Sequence, residues 1–311
     1  MIIGVFLTVL ALVATLGSVF APRFWLADLA VHFRLQYAAL ALAGCLILAA
    51  TAHERWAALA FLVAAIQALI CAPLVNSRAP AAAAAGPAPS TTLRLAAVNV
   101  WYRNHEFQRV VEFILRERPD AVLLAEVTAE WEQALAPLGA HYAQRFATRG
   151  TRGTHGTGLL LLSRWPMQAA VLPGFSDIEP AVSASLSIND RSVQLLCVHT
   201  SWPIGRENSA VRDRQLVLVG DFARRQTQPL IVLGDLNVSP FSRHFQTLLG
   251  AANLKSAAQG FGWQPTWPTF LPLAGIQIDH ALTGAGVLVT SFRRGAPVGS
   301  DHLPIVIDCV L

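Results

Sequence analysis

Three apolar runs in the first quarter of the chain set the strongest limit on how it folds. Residues 2–21 carry no charged side chain, and similar runs extend from about residue 35 to 52 and from 56 to 75. Each reaches or approaches the ~20 residues an α-helix needs to cross a bilayer. The charges fall between the runs: Arg23, Asp28 and Arg34 in a first loop, Glu54 and Arg55 in a second. This pattern predicts a membrane part over residues 1–76 with three transmembrane helices, the last two forming a tight hairpin. The competing expectation, a cleaved leader at residues 1–21, lacks the basic residues that open such a leader, since no Lys or Arg precedes Arg23. With three spans, the first loop and the chain after residue 76 lie on one side. Arg23, Arg34 and Arg78 count for that side and Arg55 for the other. The positive-inside rule then favours the cytoplasm for residues 92–311, by two charges. The Ala/Pro-rich stretch 77–91 reads as a linker, and it would suit a periplasmic tether equally.

The rest of the chain has a different character. Of 23 basic and 19 acidic residues, Arg23, Arg34, Arg55, Arg78, Asp28 and Glu54 precede residue 90, leaving 19 against 17. That balance lacks the electrostatic footprint of a dedicated duplex-DNA binder. Cys45 and Cys71 fall in apolar runs, and Cys197 and Cys309 in strand-like ones, without metal-type spacing. They read as small buried hydrophobes.

From residue 93 the periodicity is that of an α/β chain. Strands are predicted over 93–100, 121–127, 158–163, 182–188, 193–200, 230–235, 276–283, 287–292 and 303–310, with helices over 107–118 and 206–225. Asn189-Asp190 suits a hairpin turn. Hairpins alternating with helical crossovers predict a mixed sheet, or two stacked sheets, flanked by helices.

The strands have unusual ends. Leu230-Ile231-Val232-Leu233 runs into Gly234-Asp235-Leu236-Asn237, and acids next to histidines recur at Asp279-His280 and Asp301-His302. With Asn99, Glu126 and His199, these put hydrogen-bonding or oxygen-ligand groups at the ends of apolar strands, the edge where open α/β sheets carry their chemistry. Any one of them alone would read as a turn, a cap or a satisfied core residue. Gathered together, so many acids need a cation to offset them. A hard divalent ion held by carboxylate and amide oxygens, Mg²⁺ or Mn²⁺, is the simplest solution. Zinc fits less well, with no Cys cluster or His-x-x-x-His pair present.

Taken in order, Asn99-Val100, Pro119 to Glu126, Gly158 to Pro166, Val198-His199-Thr200, Gly234 to Asn237, Ile278-Asp279-His280 and Ser300 to Ile305 resemble the endonuclease/exonuclease/phosphatase superfamily, and more narrowly its bacterial membrane-anchored branch. The resemblance covers about residues 92–311 and draws its specificity from seven motifs in one order. It implies a four-layer α/β sandwich, two sheets face to face between helices, and metal-assisted phosphoester hydrolysis. Carried over, Glu126 is the principal metal ligand with Asn99 beside it, and Asp301 a further ligand or an acid just behind the ligands. Asp235 orients or deprotonates the attacking water, and Asn237 holds a phosphate oxygen. His302, its tautomer fixed by Asp279, contacts the phosphate or acts as acid or base. His199 matches a second histidine of the deoxyribonuclease-like members. Where some nucleases carry a second acid two residues after the first-strand Asn, this chain has Trp101, so one ion is expected.

Two stretches bear on the substrate. The basic loop 145–158, with Arg152 and His155, could grip a phosphate. In the aromatic stretch 261–270, Trp263 is expected to face substrate or membrane, whereas Trp267 reads as packing over the sheet edge. The leading expectation is a membrane-anchored phosphodiesterase or nuclease, in a bacterial inner membrane. A phospholipid or phosphorylated headgroup is the alternative substrate. A third reading is a non-catalytic membrane scaffold, but a degenerate member should have lost a metal or water-orienting residue, and none is missing.

Overall fold

The computed structural model describes residues 1–21, 23–75, 91–149, 157–175 and 179–311. The expected linker lies outside the described residues up to Ser90. Four helices come first: α1 (Ile2–Gly17), α2 (Trp25–Val31), α3 (Arg34–Ala50) and α4 (Glu54–Val75). Two spans, Ile2–Phe20 and Glu54–Pro73, are long and apolar enough to cross a membrane. A third is obtained if α2 and α3, bent by 69° at their break, are taken together. Small residues let α1 and α3 approach closely: a Cβ added to Gly44 would lie 2.8 Å from Thr8 Oγ1 and 3.0 Å from the Gly4 carbonyl. Polar residues bond across the bundle, Arg34 donating to Gln67 Oε1 at 3.0 Å and Gln67 to Thr15 Oγ1 at 2.8 Å. The first loop thus contains a short helix that the charge pattern does not announce.

Residues 92–311 form two six-stranded sheets. The strands are β1 (Thr92–Asn99), β2 (Ala121–Val127), β3 (Gln144–Ala147), β4 (Gly158–Ser163), β5 (Met167–Val171), β6 (Val182–Ile188), β7 (Arg191–His199), β8 (Leu230–Asp235), β9 (Lys255–Ser256), β10 (Asp279–Thr283), β11 (Leu288–Arg294) and β12 (Ile305–Val310). One sheet runs β11-β12-β1-β2-β4-β3 and the other β5-β6-β7-β8-β10-β9. Each has one parallel pair at its centre, β1–β2 and β7–β8, and antiparallel neighbours elsewhere. Parallel neighbours need a crossover, which α5 (Phe107–Glu117) and α7 (Arg206–Arg224) supply. Shorter helices α6 (Ala129–Ala134) and α8 (Arg243–Ala252) pack outside the sheets.

Side-chain alternation explains why the central strands are apolar throughout. In β2, Ala121, Leu123 and Ala125 point into the core between the sheets, with Leu161, Leu195 and Ile231. Val122 and Leu124 point the other way, against Phe113 and Ile114 of α5. In β8, Leu233 faces the first core, and Val232 faces Val219 of α7 and Phe245 of α8. A strand covered on both faces has no polar face to show.

This topology brings the functional ends together. The parallel pairs finish at Asn99, Glu126, His199 and Asp235. Antiparallel β10 starts at Asp279, opposite Asp235, and β12 starts opposite Ala97, just after Asp301 and His302. β10 is shorter than the 276–283 pattern suggests, because Ile276 bridges Trp267 and Thr266 Oγ1 takes the amides of Ile278 and Asp279. Gly234 is essential to the arrangement. Its φ is +140°, and a Cβ there would lie 1.9 Å from the Val198 carbonyl oxygen. Gly234→Ala is expected to lower stability by at least about 3 kcal/mol, measured by urea unfolding.

Candidate active site

The polar residues reach the site through local backbone distortions. The β2–β4 register shifts between Leu124 and Val127, and Glu126 at that bulge has φ +61°. A bulge re-aims a side chain, so Glu126 turns along the sheet edge instead of into a face. Trp101 and Asn237 also have positive φ, +57° and +47°. Three non-glycine residues in the left-handed region around one cluster mark a place where packing imposes strain.

The cluster is one connected network. Asn99 Nδ2 donates to Glu126 Oε1 at 3.0 Å and to Asp235 Oδ2 at 3.2 Å, so one amide ties the two sheets together. Asn99 Oδ1 accepts from the Trp101 amide, and Glu126 Oε2 from the Tyr102 amide. His199 Nε2 lies 3.7 Å from Glu126 Oε1 and 3.8 Å from Asp235 Oδ2. Asp235 Oδ1 accepts from the Asn237 amide, and Asn237 Nδ2 donates to the Thr200 carbonyl at 2.7 Å. Across the site, His302 Nδ1 lies 2.9 Å from Asp279 Oδ2, which leaves Nε2 facing Asp235 Oδ2 at 3.8 Å.

The electrostatics divide the acids. Burial, reinforced by the neighbouring Asp279, pushes Asp235 up to about 6. Burial acts to lower His302, but the charge and hydrogen bond of Asp279, with Asp235 and Asp301 near, outweigh it and lift the imidazole to about 10. Asp279 also resists burial, and its His302 partner holds it below the usual carboxylate range. Asp301 is raised, first by burial and also by the negative charge of Glu126. A buried Asp–His pair that keeps the imidazole charged beside a more basic carboxylate can separate the work of holding charge from that of taking a proton.

The donor set fits a hard cation. Asp301 Oδ2 accepts from the Trp267 indole at 3.1 Å, while its buried Oδ1 has no hydrogen-bond partner. A buried carboxylate oxygen left over beside Glu126 suits a metal ion better than an apolar neighbour. Asp235, Asp279 and His302 also bring ligand atoms within 4.8 Å of one another. Within that trio, His302 Nδ1 and Asp279 Oδ2 already engage each other.

The expected site residues Asn99, Glu126, His199, Asp235, Asn237, Asp279, Asp301 and His302 therefore all lie at one edge. Arg152 and His155 lie outside the described residues. Trp263 is half-buried and stacked on Phe241, ring centroids 5.2 Å apart, over the loop that follows β8. Trp267 does more than pack, since its indole N–H orients Asp301. Two motif residues to which the sequence assigned no role also support the site. Ser300 Oγ joins the Asn99 carbonyl to the His302 amide. His280, held neutral by burial with a value near 4, bonds the Val238 carbonyl at 2.8 Å.

A family model described as the Endonuclease/Exonuclease/phosphatase family matches residues 96–302. Among solved structures, an endonuclease/exonuclease/phosphatase from Beutenbergia cavernae DSM 12333 superimposes with a TM-score of 0.59 at 21% identity, over 71% of this chain and 72% of that one. One from Bacteroides vulgatus gives 0.59 at 21% identity, over 70% and 98%. D. rerio TDP2, complexed with a single-strand DNA product, gives 0.56 at 15% identity, over 70% and 99%. At such identities the likeness is one of fold. No curated protein matches the chain.

Proposed function

Because the chain belongs to the endonuclease/exonuclease/phosphatase family, we propose that it is a membrane-anchored phosphodiesterase working with one divalent cation, Mg²⁺ or Mn²⁺. The observation that carries this reading is the bridge from Glu126 through Asn99 to Asp235, facing the Asp279–His302 pair. Glu126 and Asp301 would hold the ion. Once bound, it would polarise a phosphoryl oxygen and stabilise negative charge on the departing one. Asp235 takes the proton of the attacking water, whose oxygen bonds to phosphorus as the ester P–O bond breaks. The charged imidazole of His302 donates from Nε2 to a phosphoryl oxygen. Asn237, with one N–H spent on Thr200, offers the other to the phosphate. The departing alkoxide is protonated by solvent.

The D. rerio neighbour's DNA product makes single-stranded DNA one substrate to assay, although the balanced charge of residues 90–311 provides no polyanion field. The test uses the full chain in detergent with bis(p-nitrophenyl) phosphate. Hydrolysis is expected to stop on EDTA treatment and to return with Mg²⁺ or Mn²⁺. Asn99→Ala, which frees both carboxylates, should weaken metal dependence or rate by roughly 10–100-fold. Undiminished hydrolysis after exhaustive chelation would sink the metal-dependent reading. Release of the chain from membranes by alkaline carbonate would sink the anchor.

A further inference from the structure

The N-terminal helices are fastened to the edge of the sandwich that carries the site. Arg212 of α7, 1% exposed, donates from Nη2 to Asp28 of α2 at 2.7 Å and from Nη1 to the Asn237 carbonyl at 3.1 Å. The other Asp28 oxygen accepts from Ser242 Oγ at 2.7 Å, and His32 Nδ1 lies 2.8 Å from Ser239 Oγ. Gln36, in the first turn of α3, donates to the Gly275 carbonyl at 2.9 Å. Apart from Arg212 itself, these partners lie in the segments that leave β8 and enter β10, whose facing ends carry Asp235 and Asp279. The helix that enters the membrane therefore starts beside the loops that frame the site.

The segment that enters β10 and the loop that follows β7 are also where the sandwich exposes apolar surface. Among the described residues after 91, eight large apolar side chains are strongly exposed, and five of them fall in two short stretches: Trp202 and Ile204, and Phe270, Leu271 and Leu273. Leu273 is 90% exposed and Phe270 75%. Both stretches are tied to the site. Asn237 Nδ2 holds the Thr200 carbonyl, and the Thr269 amide and hydroxyl bond the carbonyls of Asp301 and Ser300. Clustered apolar side chains need a partner that removes them from water. The partner continuous with them is the bilayer that α3 enters, and a tryptophan among aliphatic residues is a composition suited to its interface.

We propose that the 202–204 and 270–273 loops sit in the surface of that bilayer, so that the site faces the membrane and hydrolyses a phosphodiester in the headgroup of a lipid. This rests on the anchored phosphodiesterase reading above. The near balance of charge over residues 90–311 agrees with it, since no strong field draws a polyanion to the site.

The full chain would be reconstituted into vesicles of phosphatidylethanolamine, phosphatidylglycerol and sphingomyelin with Mg²⁺, and released headgroups measured by mass spectrometry. Bis(p-nitrophenyl) phosphate and single-stranded DNA serve as soluble comparisons. Lipid hydrolysis is expected, falling roughly tenfold or more in Leu271→Ser/Leu273→Ser while the soluble diester rate stays within about twofold. A spin label at Leu273→Cys, with Cys45→Ala because the other three cysteines are buried, should be relaxed by oxygen and shielded from a polar nickel chelate. A label in water, or cleavage of the soluble substrates with every lipid intact, overturns this proposal and leaves the phosphodiesterase reading standing. No hydrolysis of any substrate overturns that reading and the lipid substrate together, while the label depth still decides which way the site faces.

Discussion

Asp235→Asn is expected to lower kcat for a phosphodiester by roughly 10³-fold or more without lowering the unfolding midpoint. The catalytic loss follows from removing the base: an amide cannot take the water's proton, and general-base contributions run to about 10²–10⁴. The stability half follows from the surroundings. Asp235 is 2% exposed and faces Asp279 in the β8–β10 register. As an anion it is deprived of water and set beside a second carboxylate, so the folded state gains little from its charge. The amide keeps the shape and can still accept from Asn99 or from the Asn237 amide. His302→Ala should cost a comparable factor, and the double variant little more than either single, because groups that act as a unit are not additive. Steady-state kinetics on a chromogenic diester and thermal unfolding check both halves. A 10³-fold loss accompanied by a collapse of the midpoint would make Asp235 a structural residue.

Arg212→Met is expected to destabilise the protein by roughly 3–5 kcal/mol, the cost of leaving one partner of a buried ion pair uncompensated. Arg212 touches Asp28, Asp213 and the Asn237 carbonyl, and both it and Asp28 are almost fully buried. Asp28→Leu combined with Arg212→Met should recover most of the loss, since an apolar pair of similar volume needs no compensation. The single variant should also lose activity, because the Arg212 guanidinium holds the backbone of Asn237, whose amide is proposed to bind the phosphate. The check is a double-mutant cycle followed by tryptophan fluorescence in detergent. Additive losses would mean that the two side chains do not act as one strut.

Much of this was legible from strand ends. A long apolar run must be covered on both faces, so the polar residue that stops it marks the sheet edge. That logic locates Asn99, Glu126, Asp235 and Asp301 before any coordinates. It fails where the information is three-dimensional. The bulge at Glu126 leaves no trace in apolar spacing. β5, short and half-exposed, and β9, two residues long, lack the continuous runs of the central strands. Trp267 reads as packing because indole burial and an indole hydrogen bond to an acid look alike in sequence. Arg212 carries no mark of its own in the 206–225 helical pattern, and only its partners reveal it. α2 is hidden because seven residues between two membrane runs look like a loop.

The ion pair between α2 and α7 also has a timing. Asp28 and Arg212 are 184 residues apart, so at roughly 5–20 residues per second the first is made some 10–40 s before the second. During that interval the Asp28 carboxylate has no cation from the sandwich, and hydrocarbon would be a costly place to wait. In a membrane-anchored chain, a short helix set off by a bend from the helix that follows would let it stay hydrated at the membrane surface. On the anchored reading proposed above, the N-terminal segment would be a landing place prepared before its cargo exists, and the sandwich would be seated against the membrane as its second half leaves the ribosome.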